Sequence, residues 1–177
     1  MMESIIDNYT MFVDLLTIIL TIIGISVSIG FFGVYKFLAR EIQRKALAIA
    51  KVQIQMAKAT LYIDHGYMYW TDYEVSNSED EIKAKYLDQA IAETKKGLEI
   101  IQYLNVDTNN LISKEEILCY AMNNLSFYYF TQSNYEQENG NKKLAEEYAK
   151  YVYDKIIMFP EYREEWTDTY NKVVLRL

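Results

Sequence analysis

Residues 15–35, LLTIILTIIGISVSIGFFGVY, form an uninterrupted run of 21 uncharged residues. As a helix with a rise of about 1.5 Å per residue, this run would be about 30 Å long, which matches the hydrocarbon core of a bilayer. A buried core helix of this length would normally carry a charge. A cleaved signal peptide would begin with basic residues, whereas Glu3 and Asp7 precede this run. We therefore predict a retained transmembrane helix over residues 11–38, after a short extracytoplasmic segment at residues 1–10.

The charges that flank this run predict its orientation. Only acidic residues precede it, whereas four basic residues follow it closely: Lys36, Arg40, Arg44 and Lys45. Basic residues are enriched on the cytoplasmic side of membrane helices. The N-terminus is therefore expected outside and the bulk of the chain in the cytosol, and the inverted topology is the alternative.

Two faces of the predicted membrane helix carry small or polar residues at spacings of three and four positions. The first face holds Asp14, Thr17, Thr21, Gly24 and Ser28, and the roughly opposite face holds Ser26, Gly30 and Gly33. Such residues let membrane helices approach closely and hydrogen-bond to each other, and an acid at the bilayer edge usually faces protein or water. We interpret the first face as a pore lining or a helix–helix seam and the second as a packing face. The alternative is that the hydroxyl groups only bond to their own backbone.

The rest of the chain has the composition of an all-α protein. The whole sequence contains one proline and six glycines, and helix interiors exclude both residues. We expect the membrane helix to continue as a stalk over residues 39–66, with an interruption at Gly66 and a helical cytosolic domain at residues 67–177. Apolar residues surround the stalk axis, which predicts burial against both its own domain and a neighbouring subunit.

Capping signals divide the cytosolic domain into helices. Ser78 with Glu81 and Ser113 with Glu116 are spaced as capping boxes, which open helices. The first helix is expected to end near residue 104 and the second near residue 131, before a loop at residues 134–141. A third helix is expected over residues 142–159, and Pro160 is placed to begin the last one, because a first-turn position needs no amide hydrogen.

Neither catalysis nor a metal or other cofactor is expected. His65 is the single histidine and Cys119 the single cysteine, and neither has partners at ligand or nucleophile–base spacing. From residue 46 onward there are 14 basic and 21 acidic residues, so broad nucleic-acid binding is not expected. Exposed aromatic residues near His65 are a candidate binding surface, formed with Tyr67, Tyr69 and Trp70, although helix packing is the alternative role.

Residues 121–162 resemble a tetratricopeptide unit. Matching positions of the first helix are Ala121, Leu125 and Tyr129, those of the turn are Asn134, Tyr135 and Gly140, and those of the second helix are Ala145, Tyr148, Ala149 and Ile156. Pro160 matches the terminal proline of the unit. The resemblance implies antiparallel helix pairs in the cytosolic domain.

The layout of the whole chain resembles the small accessory membrane protein encoded beside the RNA-targeting nuclease of type VI-B CRISPR loci. That resemblance implies an inner-membrane pore of identical subunits that strengthens antiviral defence by depolarising the membrane. We expect six or more subunits. Its expected partners are lipid, further copies of the chain, and a cytosolic CRISPR effector or another protein. The alternative function is a non-conducting, membrane-anchored adaptor that recruits a cytosolic protein, and a membrane-bound enzyme dependent on His65 is a third hypothesis.

Overall fold

Helices are the only regular secondary structure among the residues that the computed structural model describes. It describes the backbone of residues 2–76, 80–106, 110–136 and 139–177, and the side chains of residues 13–76, 80–106, 110–134 and 140–177. The helices are α1 (Met2–Val75), α2 (Asp80–Tyr103), α3 (Leu111–Glu136), α4 (Asn139–Asp154) and α5 (Arg163–Tyr170). A 3₁₀ turn at Pro160–Tyr162 precedes α5 and a π-helical turn at Asn171–Leu175 follows it. The prediction of an all-α fold is confirmed.

The chain divides into two units, residues 1–49 and 50–177. The first unit is the N-terminal part of α1 and contains the whole apolar run. Residues 2–10, predicted as a separate extracytoplasmic segment, are part of the same helix. The second unit holds the rest of α1 together with helices α2 to α5, so residues 50–66 of the predicted stalk belong to this unit.

Helix α1 does not end at Gly66, and the predicted interruption there is wrong. The helix continues through the aromatic segment to Val75. Gly66 is fully enclosed by α2, because a Cβ atom added to it would lie 2.8 Å from the carbonyl oxygen of Ala90 and 3.1 Å from the amide nitrogen of Thr94. The glycine is therefore a close-contact residue, and its lower helix propensity, a cost of about 1 kcal/mol, is offset by the approach that it allows.

A second glycine makes the reciprocal contact between the same two helices. A Cβ atom added to Gly97 of α2 would lie 2.7 Å from the carbonyl oxygen of Ala59 and 2.7 Å from Cγ1 of Ile63, both on α1. Position 97 thus meets positions 59 and 63, whereas position 66 meets the earlier positions 90 and 94. The two helices therefore run antiparallel, with their backbones in close contact through small residues.

Helix α3 lies at the centre of the second unit. Its buried residues occur on every side of the helix and include Leu118, Cys119, Ala121, Met122, Asn123, Asn124, Leu125, Ser126, Tyr128 and Tyr129. The Ser126 hydroxyl donates to the carbonyl oxygen of Ala145 at 2.9 Å, and the Tyr151 hydroxyl donates to Oε1 of Glu115 at 2.7 Å. The later position of α3 bonds to the earlier position of α4, and the earlier position of α3 bonds to the later position of α4, so this pair is also antiparallel.

Several helix boundaries differ from those predicted. Ser113 lies inside α3, which begins at Leu111, so the capping box predicted there is wrong. The Lys114 ammonium group donates instead to the carbonyl oxygens of Gln102 at 3.3 Å and Leu104 at 2.7 Å, and so satisfies the carboxyl end of α2. The first capping box depends on Ser78, which is outside the described residues.

The connections around α4 also differ from the prediction. Helix α3 continues to Glu136 and α4 begins at Asn139, so the described part of the predicted loop is largely helical. Helix α4 ends at Asp154 rather than near Phe159, and turns follow it. Pro160 stands at the start of the 3₁₀ turn, as predicted.

Candidate functional site

Helix α1 is long and apolar enough to cross a membrane. Its most apolar window of 18 residues has a mean hydropathy of 2.5, and none of that window is buried within the chain. Large aliphatic and aromatic residues project from it on all sides, among them Leu20, Ile29 and Phe31 at 60, 68 and 75% exposure. A bilayer is one apolar environment that would cover such a surface.

The hydroxyl groups of the first face bond to the carbonyl oxygens of α1 itself. Thr17 Oγ1 donates to Val13 at 2.9 Å, Thr21 Oγ1 donates to Thr17 at 2.8 Å, and Ser28 Oγ donates to Gly24 at 2.8 Å. Each hydroxyl proton therefore has a partner within the helix, while the oxygen still has a lone pair to accept a further hydrogen bond. Asp14 is exposed near the start of this face.

The glycines on both faces leave room for another helix. A Cβ atom added to Gly24, Gly30 or Gly33 would have no neighbouring atom within 4 Å. Ser26 is exposed on the same side as Gly30 and Gly33. Both faces are therefore open to close helix–helix contact.

The basic residues that follow the apolar run are all exposed: Lys36, Arg40, Arg44 and Lys45. Arg44 pairs with Glu41 at 2.9 Å, one helical turn away. That pair is exposed, so it contributes little to stability.

The four residues predicted as an aromatic binding surface are divided between two sides of α1. His65 is exposed and Tyr69 half-buried on one side, whereas Tyr67 and Trp70 lie on the other. Trp70 is only 7% exposed, and its ring stacks on Tyr73 at 4.9 Å and Tyr128 at 5.1 Å. The structure therefore places Trp70 in the core, where it forms one wall of a cleft together with Tyr67.

Within the second unit, α1 carries two apolar stripes. The inner stripe, Met56, Ala59, Ile63, Gly66 and Trp70, is buried against the other helices. The outer stripe, Ala50, Ile54, Ala57, Leu61 and Met68, is exposed, with the three large residues between 55 and 63% exposed. Corresponding residues of the two stripes are two positions apart, so the stripes lie on opposite sides of the helix. The sequence places apolar residues all round this segment, but it does not show which of them face the core.

A groove lies where side chains of α1, α3 and α5 converge. Its larger cleft, of about 500 Å³, is lined by Asp64 of α1, Glu116 and Tyr120 of α3, Tyr162 of the 3₁₀ turn and Glu165 of α5. A smaller cleft of about 170 Å³ shares Glu165 and is lined also by Tyr67, Trp70, Asn123, Asn124 and Tyr128. Sequence reasoning missed this groove, because its residues come from three helices far apart along the chain.

Acidic groups dominate the larger cleft. Asp64, Glu116 and Glu165 line it, and among the described residues no lysine or arginine does. Tyr162 donates to Oε1 of Glu116 at 2.9 Å, and this bond, together with burial, raises the pKa of Tyr162 to about 12. Burial raises the pKa of Glu165, whose Oε1 accepts one hydrogen bond, of 3.0 Å, from Nδ2 of Asn123.

The smaller cleft contains buried polar atoms without partners. Asn123, Asn124 and Tyr128 are 4, 7 and 2% exposed. Oδ1 of Asn123, Nδ2 of Asn124 and the hydroxyl of Tyr128 each lack a hydrogen-bond partner among the described residues. An unpaired polar atom buried in this way costs about 1–3 kcal/mol. The acceptor, the donor and the hydroxyl group in this cleft therefore each lower the free energy of unfolding of the domain.

No family model, curated protein or solved structure matches this chain.

Proposed function

We propose that the chain is a membrane-spanning subunit of a homo-oligomeric pore. The observation that carries this proposal is the outer stripe of α1, Ala50, Ile54, Ala57, Leu61 and Met68. These residues follow the apolar run by at least 15 positions, so a bilayer that holds residues 15–35 would leave them in water. The first four are spaced four, three and four positions apart, and Met68 follows Leu61 by seven, so all five share one exposed helix side. Such a side is covered when helices of this kind pack together.

The faces of the membrane helix support the same proposal. In a ring, each helix packs on two neighbours and presents one side to the central space. The face at Thr17, Thr21 and Ser28 would border that space, because its hydroxyl oxygens have lone pairs available for water. The face at Ser26, Gly30 and Gly33 would pack on a neighbouring helix.

The remaining parts of the chain have roles in the same proposal. The basic residues after the apolar run would hold the N-terminus outside and residues 50–177 in the cytosol. There, antiparallel helix pairs of the tetratricopeptide kind would hold the ring together. Opening of the pore in an infected cell would depolarise the inner membrane and so strengthen CRISPR-based defence.

A conductance measurement tests the pore. A triple variant, Thr17→Leu, Thr21→Leu and Ser28→Leu, should insert normally into planar bilayers but lose its current. A matched control changes residues on a third side of the helix: Leu16→Ile, Leu20→Ile and Val27→Ile. Unchanged current in the leucine variant, or an equal loss in the control, would contradict the pore assignment.

A mass measurement tests the assembly independently. Light scattering on the detergent-solubilised chain, corrected for bound detergent, should give one species of six or more subunits. Ile54→Glu with Leu61→Glu should reduce that mass, because the buried stripe would then carry charges. Gln55→Glu, on an exposed side well away from the stripe, should not. A monomer or dimer for the unmodified chain would refute the ring and favour the non-conducting adaptor.

A further inference from the structure

We infer that the groove between α1, α3 and α5 binds an extended polypeptide segment that carries lysine or arginine side chains. This inference goes beyond the pore and does not depend on whether the assembly conducts. It is carried by the buried, unpartnered polar atoms of Asn123, Asn124 and Tyr128 and by the acidic lining of the adjoining cleft.

The unpartnered atoms match the hydrogen-bonding groups of a peptide backbone. Oδ1 of Asn123 is an acceptor and Nδ2 of Asn124 is a donor, and both residues line the smaller cleft. A peptide unit offers one N–H donor and one carbonyl acceptor, so it can satisfy both. The Tyr128 hydroxyl can donate or accept and would bond to a further backbone group. Binding would then remove the cost of leaving these atoms unpaired.

The charges of the groove select a cationic ligand. Lys172 lines the smaller cleft, but it pairs with Asp168 at 2.7 Å, so its charge is already compensated. Glu165 lines both clefts and accepts a hydrogen bond from the neutral amide of Asn123, and no cation among the described residues pairs with it. A guanidinium or ammonium group would give Glu165 and Glu116 a charged donor, and such bonds are stronger than neutral ones. Phosphate groups would be repelled, which disfavours nucleic acid.

The dimensions of the groove favour a polypeptide over a free amine. On α3 the lining residues recur at helical spacing from Ser113 to Phe127. These fourteen positions correspond to about 21 Å of helix at 1.5 Å per residue. An extended chain covers that length with about six residues at about 3.3 Å each. A single free amino acid or small amine would leave one of the two clefts empty.

Peptide selection on the full-length chain in lipid nanodiscs tests this inference. Displayed random octapeptides should be enriched in lysine and arginine, and a selected peptide, labelled with fluorescein, should bind measurably by fluorescence anisotropy. Glu165→Gln removes one charge from an accessible side chain and should weaken this binding about tenfold. Glu164→Gln is the matched control, because Glu164 is exposed on the same helix and lines neither cleft.

A second variant tests the amide pair. Asn124→Ala removes the unpartnered donor and should weaken binding about tenfold when the emission of the buried tryptophans shows that the domain is folded. The charge variant keeps the inference testable if this one fails to fold. The inference is overturned by enrichment of neutral or acidic peptides, by equal effects of Glu164→Gln and Glu165→Gln, or by a hexanucleotide of RNA that displaces the peptide at equal concentration.

Discussion

Replacing Gly97 with alanine should destabilise the helical domain, because α1 leaves no space for the added methyl group. That methyl carbon would lie 2.7 Å from the carbonyl oxygen of Ala59 and 2.7 Å from Cγ1 of Ile63. Ordinary contacts begin at 3.4 Å, so the two helices would have to separate locally by about 0.7 Å. Overpacking of this kind costs about 1–3 kcal/mol. The carbonyl oxygen belongs to the backbone of a helix and cannot rotate away.

Alanine also has a higher helix propensity than glycine, by about 1 kcal/mol, so a control has to remove this term. Gly140→Ala serves, because Gly140 is also helical and a Cβ atom there has no neighbour within 4 Å. The difference in unfolding free energy between the two variants should therefore be about 1–3 kcal/mol, with Gly97→Ala the less stable.

Urea denaturation of the full-length chain in detergent measures this difference. The chain has two tryptophans, Trp70 and Trp166, and they are only 7 and 1% exposed, so a red shift of their emission reports unfolding of the domain. A Gly97→Ala variant as stable as Gly140→Ala would show that α1 and α2 do not pack as closely as described.

The remaining predictions concern titration and thiol chemistry. Burial alone would raise the pKa of Glu115, but hydrogen bonds from Tyr151 and Lys155 outweigh it and lower the pKa. The stability that this carboxylate contributes is therefore present above its unfolded pKa of about 4.3 and is lost as the pH falls through the folded pKa. Glu115→Gln should remove this dependence and so flatten the acid side of a plot of urea midpoint against pH. The hydrogen bond to Glu115 raises the pKa of Lys155. The stability that the Lys155 ammonium group contributes is therefore present below about pH 10.4 and is lost as the pH rises through the folded pKa. Lys155→Met should lower the free energy of unfolding at pH 7 by about 0.5–1 kcal/mol in the same assay, and no change would refute the pairing. Burial raises the pKa of Cys119 to about 12. An aromatic disulfide reagent should therefore react with this thiol at least about 100-fold more slowly in the folded chain than in urea. Equal rates would contradict the burial of Cys119.

The features that local sequence predicted correctly are those with a local cause. The apolar run and Pro160 act through length, hydropathy and a missing amide hydrogen, which need no knowledge of neighbours. Apolar residues at helical spacing in α2 are buried as well, among them Leu87, Ala90 and Ile101.

The features that the sequence did not reveal depend on contacts between distant segments. Gly66 was interpreted as a helix breaker because its partners, Ala90 and Thr94, lie on another helix. The groove was missed for the same reason, since its shared hydrogen bond joins Asn123 to Glu165 across 42 positions. Nothing near either residue in the sequence indicates that they meet, and a single sequence carries no record of such pairs.

The burial of α3 on every side has a consequence for how this chain can diverge. A substitution on a surface helix changes one solvent-facing side chain, whereas nearly every change between Leu118 and Tyr129 meets a neighbouring helix. Compatible replacements there require simultaneous changes on the helices around it, which are rare events. Residues 118–129, LCYAMNNLSFYY, should therefore drift most slowly, and distant relatives should share this stretch long after the outer face of α4 has lost its resemblance.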